Sequence, residues 1–393
     1  MVRFCGLFIA ALLFAVPFGA RADCAALGDA VPKVAAARAA LLALPTPEDL
    51  DTDIAAATQR GIAYLKDTLG ELVAARMQCA AADEKPETIA ADLMAALRPL
   101  GAGCDAQCAI NPYHDLPEFG VERTDDARHL LAIVARQRIQ CGHDTLLWVY
   151  EADAGGWRER LRWQAPPYDK VSGALEAFDY RISPPDASGA WYVLVKDIMP
   201  WCSSTWSTIR YAALRPGATP STPRIVFHAH DSMWWGNDDI GTLAAAAGDF
   251  EVRFHAASIE PAVHNRVYIR HFAIDGGQVR RVPPVALTPR DFVDEWIVSK
   301  WTDAAQWSAP EQRAPLAAWH VRLHGNGAPY YEFFAARKCA ATQHVEVELL
   351  APEDQRSYFL QVDTSADLRM LRVANTADPH CAGEDLLGAM LTE

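Results

Sequence analysis

The hydrophobic period of this chain changes near residue 144, and that change limits the fold more than any other feature. Before it, apolar residues recur at spacings of three and four. Ile62, Leu65, Leu69, Leu72 and Val73 fall on one helical face, and Ile89, Leu93 and Leu97 fall on another. After it the spacing is two. "DTLLWVYE" and "WRERLRWQ" flank Ala152-Asp153-Ala154-Gly155-Gly156 and read as a hairpin. "FDYRI", "WYVLVKDI", "STIRYAAL", "RIVFHAH", "FEVRFHAA", "RVYIRHFAI" and "QVRRV" follow as further strands. No long helical pattern separates them, which argues against βαβ crossovers and a parallel sheet. The expected class is α+β: an N-terminal helical hairpin or bundle, then a large antiparallel β-rich region built as a sandwich, a barrel or a propeller-like meander.

Helix starts carry their own chemistry. Thr46-Pro47-Glu48-Asp49 and Thr288-Pro289-Arg290-Asp291 each offer a capping hydroxyl, a proline in the first turn and an acid near the positive helix end. Pro86-Glu87 opens another helix. The second Thr-Pro start leads into "DFVDEWIVSKW", where Phe292 and Trp296, and Val293 and Ile297, are four apart. Residues 316 to 376 are expected to return to strands: "AAWHVRLH", "YYEFFAA", "HVEVELL", "SYFLQVD" and "RMLRVAN". The organisation read from these patterns is residues 1–22 as a leader, 23–125 as a helical region with a cysteine-held connection, 126–300 as a β-rich domain ending in a helix, and 301–393 as a C-terminal β subdomain.

The leader reading rests on Met1-Val2-Arg3, the apolar run Phe4 to Gly19 and the small residues of Ala20-Arg21-Ala22. Together they form a secretory signal peptide cleaved before Asp23. The run is too short for a comfortable membrane span, and no other stretch approaches its length. Cleavage leaves 371 of the 393 residues and moves the formal charge from −14 to −16. So acidic a chain lacks the basic surface a nucleic-acid partner requires. It is compatible with a cationic substrate or a basic partner, and equally with a plain solvated acidic surface. Eight cysteines remain, an even number that reads as disulfides in an exported chain. Cys339 with Cys381 is the first expected pair, both lying in one C-terminal block; Cys24 with Cys79 is the second. The expected location is periplasmic or secreted.

"GGQVRRVPPVALTPRDFVDEWIVSKWTDAAQWS", "SYFLQVD" and "LRVANTADPHCAG" resemble a family of exported bacterial proteins of unknown function. The resemblance spans roughly residues 130 to 385 and leaves out the helical N-terminal part. It implies one evolutionary unit for the β-rich portion, and no activity, cofactor or catalytic residue.

Chemistry concentrates in "IVFHAHDSMWWGNDD". His228 and His230 sit two apart in a strand and point to one face, roughly 6.5–7 Å apart along the chain. Two imidazoles so placed can converge on zinc if Asp231, His255, His264 or His271 adds a third ligand. The same pair also fits two part-buried histidines hydrogen-bonded near a strand end. Trp201, Trp206, Trp234 and Trp235 cluster in "MPWCSSTW" and "SMWWGNDD". Flat aromatic faces beside amides and carboxylates suit a glycan, a peptide or another small ligand, though tryptophans also simply fill cores. The adjacent acids Asp238–Asp239 and Asp294–Glu295 are poorly placed for the roughly 5–9.5 Å separation that glycosidases use. Arg158, Arg160 and Arg162 share one strand face, fit for an anion or for water. No G-x-S-x-G, S-x-x-K, H-E-x-x-H or phosphate-cradling glycine loop is present. The leading expectation is therefore an exported binding or interaction protein without a cofactor. The rival is a secreted hydrolase, zinc-dependent or glycan-directed.

Overall fold

The computed structural model describes residues 24–45, 54–101, 112–124, 128–139, 142–167, 178–198, 205–234, 240–260, 263, 266–275, 277–325, 329–340 and 342–390. The expected leader, with its cleavage site, and the Thr46-Pro47-Glu48-Asp49 helix start lie outside them. Helices α1 (Ala25–Leu42), α2 (Ala56–Gln78) and α3 (Pro86–Leu97) come first. Strands follow as β1 (Glu118–Arg123), β2 (Leu130–Ile139), β3 (Gly142–Asp153), β4 (Gly156–Gln164), β5 (Asp179–Ile182), β6 (Val193–Ile198), β7 (Trp206–Arg215), β8 (Arg224–Trp234), β9 (Thr242–Ala245), β10 (Asp249–Ala256), β11 (Arg266–Asp275) and β12 (Gln278–Arg281). Then come α4 (Pro289–Val298), α5 (Trp301–Ala304) and α6 (Arg313–His324), β13 (Glu332–Lys338), β14 (His344–Ala351), β15 (Arg356–Asp363) and β16 (Arg369–Ala374), and α7 (Leu387–Met390). The class is α+β. The strands form four antiparallel sheets, each a four-stranded meander of consecutive strands. None of the described helices is long and apolar enough to cross a membrane.

The helices cover the first sheet. Leu41, Leu65, Leu69, Leu72, Ile89 and Leu93 share one core with Leu131, Ile133, Ala135, Leu146 and Trp148 of β2 and β3. The opposite face of those strands, with Leu130, Val134, Leu147 and Val149, packs against Val193 and Val195 of the second sheet. β2 is thus buried on both faces, which is why its sequence runs apolar without alternation. The inner face of the second sheet (Leu194, Ile209, Tyr211, Ala213) meets Phe250, Val252 and Phe254 of the third. A last core joins Phe292, Val293, Trp296 and Ile297 of α4 to Val347, Leu360 and Val362 of the fourth sheet.

Two disulfides are formed among the described residues. Cys24–Cys79 ties the start of α1 to the end of α2, with Cα atoms 5.9 Å apart. Cys339–Cys381 ties the end of β13 to the C-terminal loop, with Cα atoms 3.7 Å apart. Backbone bonds from Ala340 N to the His380 carbonyl (2.7 Å) and from Gly383 N to the Lys338 carbonyl (3.1 Å) lie beside it.

The helix carrying Ile62 starts at Ala56, without a side-chain cap. Two local expectations are corrected. "AAWHVRLH" is helix, not strand: Leu316, His320 and Leu323 are its buried residues, and that spacing of four and three outweighs the alternation of Trp319, Val321 and Leu323. In β8, a bulge between the Ala213–Phe227 and Leu214–Ile225 pairs leaves Val226 as the extra residue. Val226 and Phe227 both pack inward, and Ile225, which the strict alternation of a strand would put on the apolar face with Phe227, is turned to solvent at 59% exposure.

Candidate functional site

The helical layer and the first sheet meet along a seam, and a cavity of about 210 Å³ opens there. It is lined by Gln59, Ile62, Ala63, Lys66 and Asp67 of α2, by Asp144 of β3, and by Gln164 and Pro167 at and beyond the end of β4. Lys66 and Asp144 are both buried on the wall, at 7% and 1% exposure. The Lys66 ammonium donates to Asp144 Oδ1 (3.1 Å) and to the Ala165 carbonyl (2.8 Å). Asp144 Oδ2 is itself buried, and the backbone N–H of Thr145 also lies against the carboxylate and favours its charged form. Burial pushes the Asp144 carboxyl above its ordinary range, and the charge and hydrogen bond of Lys66 offset only part of the rise.

A second ion pair interacts electrostatically with the first. Asp197 of β6 and Arg210 of β7 are register partners, and the guanidinium donates to Asp197 Oδ2. Burial drives Asp197 up to about 6. Arg210 opposes that shift, while the negative charge of Asp144 adds to it. The groups come from four elements: Lys66 from α2, Asp144 from β3, Asp197 from β6 and Arg210 from β7.

The residues singled out by composition lie elsewhere. His228 and His230 are exposed on the outer face of β8, opposite Ala212 and Arg210. Their neighbour Asp231 points the other way, accepting from Tyr211 Oη (2.7 Å) and Arg270 (2.8 Å). His271 is hydrogen-bonded to the Pro283 carbonyl (2.6 Å). His255 is half-buried on β10, and His264 lies outside the described residues. No three His, Cys, Asp or Glu side chains among the described residues gather as a metal site. Trp206 and Trp234 face each other directly across β7 and β8, both half-buried. Trp201, Trp235 and the Asp238–Asp239 pair lie outside the described residues, so the four-tryptophan cluster is seen only as this one pair. The arginine row of β4 is partly neutralised: Arg160 pairs with Glu151 (3.2 Å) and Arg162 with Glu159 (2.8 Å).

Asp294 and Glu295 anchor α4 in a buried network. Arg266 reaches Asp294 Oδ1 (2.6 Å) and also Glu295; Arg270 and Arg281 reach Glu295 Oε1 (3.0 and 2.7 Å). Ile259 N and Ser258 donate to Asp294 Oδ2, and Ser299 donates to Glu295 Oε1 (2.8 Å). With Asp231 this makes three cations and three anions. The set clamps the third sheet to α4, and its carboxylates are consumed by partners.

Lys66, Asp144 and Asp197 were missed by composition, yet each left a signal in the period. Lys66 is four residues after Ile62 and three before Leu69, on the apolar stripe of α2. Asp144 is in step with Leu146 and Trp148, and Asp197 with Val193 and Val195. A charge in line with a buried row must find a partner inside. No protein family, curated protein or solved structure matches the chain.

Proposed function

We propose that the chain is an exported envelope protein that binds a small polar molecule in the cavity between α2 and the β3–β4 edge. The observation carrying this reading is the cavity itself, lined by both apolar and polar side chains, with the buried Lys66–Asp144 ion pair in its wall. The leader-like N-terminus, the two disulfides and the resemblance to exported bacterial proteins support a periplasmic or secreted location for the mature chain from Asp23. The consecutive four-stranded meanders, three of them packed face to face, support a propeller-like reading of the β-rich part over a two-sheet sandwich.

The test is a thermal-shift screen of the mature protein against small amines, sugars, carboxylates and nucleosides. It is run beside Ala63→Trp, which places an indole at the cavity wall from an exposed helix position. A compound at a hundredfold its Kd should stabilise the wild type by about 2.7 kcal/mol and leave the variant unmoved. Equal shifts in both proteins, or none in either, would end this reading. Hydrolysis is the second reading, favoured by two buried carboxylates whose pKa values are both raised. It requires turnover of chromogenic glycosides or esters that Asp197→Asn abolishes.

A further inference from the structure

We infer that β8 pairs with β8 of a second copy of this chain around one zinc ion, held by His228 and His230 of both copies. The site is the free edge of the second sheet and is independent of the cavity. At 11 residues β8 is the longest edge strand of the four sheets. Among the described residues, the backbone of Arg224–Met233 bonds only to β7. Both edges of the fourth sheet are covered by comparison. Lys338 N and Leu386 N bond to the Glu384 and Ala336 carbonyls along β13, and Met370 N and Ala309 N bond to the Trp307 and Met370 carbonyls along β16. Natural edges are also blunted by lysine, proline or outward charge. Phe227–Trp234 has neither proline nor lysine, and its one acid, Asp231, is turned inward to Tyr211 and Arg270.

His228 and His230 lie in the part of β8 whose register with β7 is unbroken, so they share one face, and both are exposed. Neither imidazole is hydrogen-bonded within its own chain. Arg210, the cation across the strand from His230, is turned to Asp197. One chain therefore offers two unclaimed imidazoles and no third ligand, which is half of the tetrahedral shell that zinc prefers. A two-fold axis through Ala229, normal to the sheet, completes it. Antiparallel pairing about that axis sets His228 of each copy opposite His230 of the other, on the same face. Facing Cβ atoms in such a pair are about 4.5–5.5 Å apart, and residues two apart along a strand roughly 6.5 Å. Four imidazoles at the corners of so small a rectangle reach one ion at the usual ~2.0–2.1 Å Zn–N distance. The metal decides whether the pair forms. A strand of 11 residues is well short of the roughly 20–30 residues a side of a stable interface, and two chains of formal charge −14 repel. The shared cation supplies what the strand pairing lacks.

The experiment is sedimentation velocity of the mature protein in zinc chloride and in EDTA, with zinc affinity and stoichiometry measured by competition against a chromogenic chelator. The protein should be a monomer in EDTA and a dimer in zinc, with half an equivalent of zinc bound per chain. His228→Ala and His230→Ala, both at exposed positions where folding is not at stake, should each weaken zinc about tenfold or more and leave a monomer. Hydrogen exchange reads the strand pairing: backbone amides of the 224–234 peptide should gain protection when zinc is added to the wild type and not when it is added to His230→Ala. One zinc per chain on a monomer would remove the second copy from the site. A dimer that survives EDTA or either substitution would remove the metal. A zinc-bridged dimer without added protection in β8 would overturn the edge pairing, and no zinc binding at all would overturn the whole inference.

Discussion

Asp197 is a carboxylate driven close to neutral pH, and its sign is unusual for an acid in an ion pair. Its folded value, about 6, lies above the ordinary value near 3.8, because burial outweighs Arg210. The folded state therefore binds the extra proton first, and this group adds stability as pH falls through 6 toward 4. Between pH 7 and pH 5 the gain is about 1 kcal/mol at 1.36 kcal/mol per pKa unit. Urea denaturation at the two pH values should show that increment in wild type and its loss in Asp197→Asn; an unchanged difference would assign the titration elsewhere. Burial also raises Glu295, but Arg270, Arg281 and Arg266 together hold it well below the carboxylate range, so it does not titrate in this window. At this scale the sequence pointed away from the cavity for a physical reason. His228, His230 and the tryptophans are conspicuous as residue types, and within one chain the exposed histidines satisfy themselves with water. Lys66, Asp144 and Asp197 are ordinary as types and conspicuous only by position on an apolar row.

Helix α4 was legible because local chemistry and tertiary packing agree there. Thr288 caps it by accepting from Asp291 N (3.1 Å), Pro289 occupies the first turn, and Phe292, Val293, Trp296 and Ile297 are all buried. Its ion network was not legible, since nothing in "VDEW" says that three arginines from β11 and β12 converge on it. Arg266→Met should cost about 3–5 kcal/mol in equilibrium unfolding, because Asp294 is left charged and buried with one cation fewer. The double change Arg266→Met with Asp294→Leu should cost clearly less; if it costs the sum of both, the ion pair is not the source of the loss. Helix α6 and the β8 bulge mark the opposite case. A short run satisfied both periods in the first, and in the second one inserted residue shifted the inward row.

The molecule as a whole is a series of layers, and the disulfides sit at the outer ends of the series. Cys339–Cys381 closes a loop of 42 residues, and replacing both cysteines by serine should lower stability by about 4 kcal/mol in the chain-entropy account. Denaturation with and without reductant tests this: the serine variant keeps Cys24–Cys79, so the wild type should lose about 4 kcal/mol more than the variant on reduction, and equal losses would refute it. The meanders were readable because each strand turns back on its neighbour, whereas their stacking depends on faces whose contacts lie far apart in sequence. The shared core of helices and first sheet has a further consequence for how such a chain can be inherited. The β-rich portion, from about residue 130 onward, begins with two strands that present Leu131, Ile133, Leu146 and Trp148 to the helices. Divided there, neither half keeps a closed interior. The helical layer is thus no detachable module, and a lineage that exchanged it would have had to acquire a replacement lid for those strands in the same step.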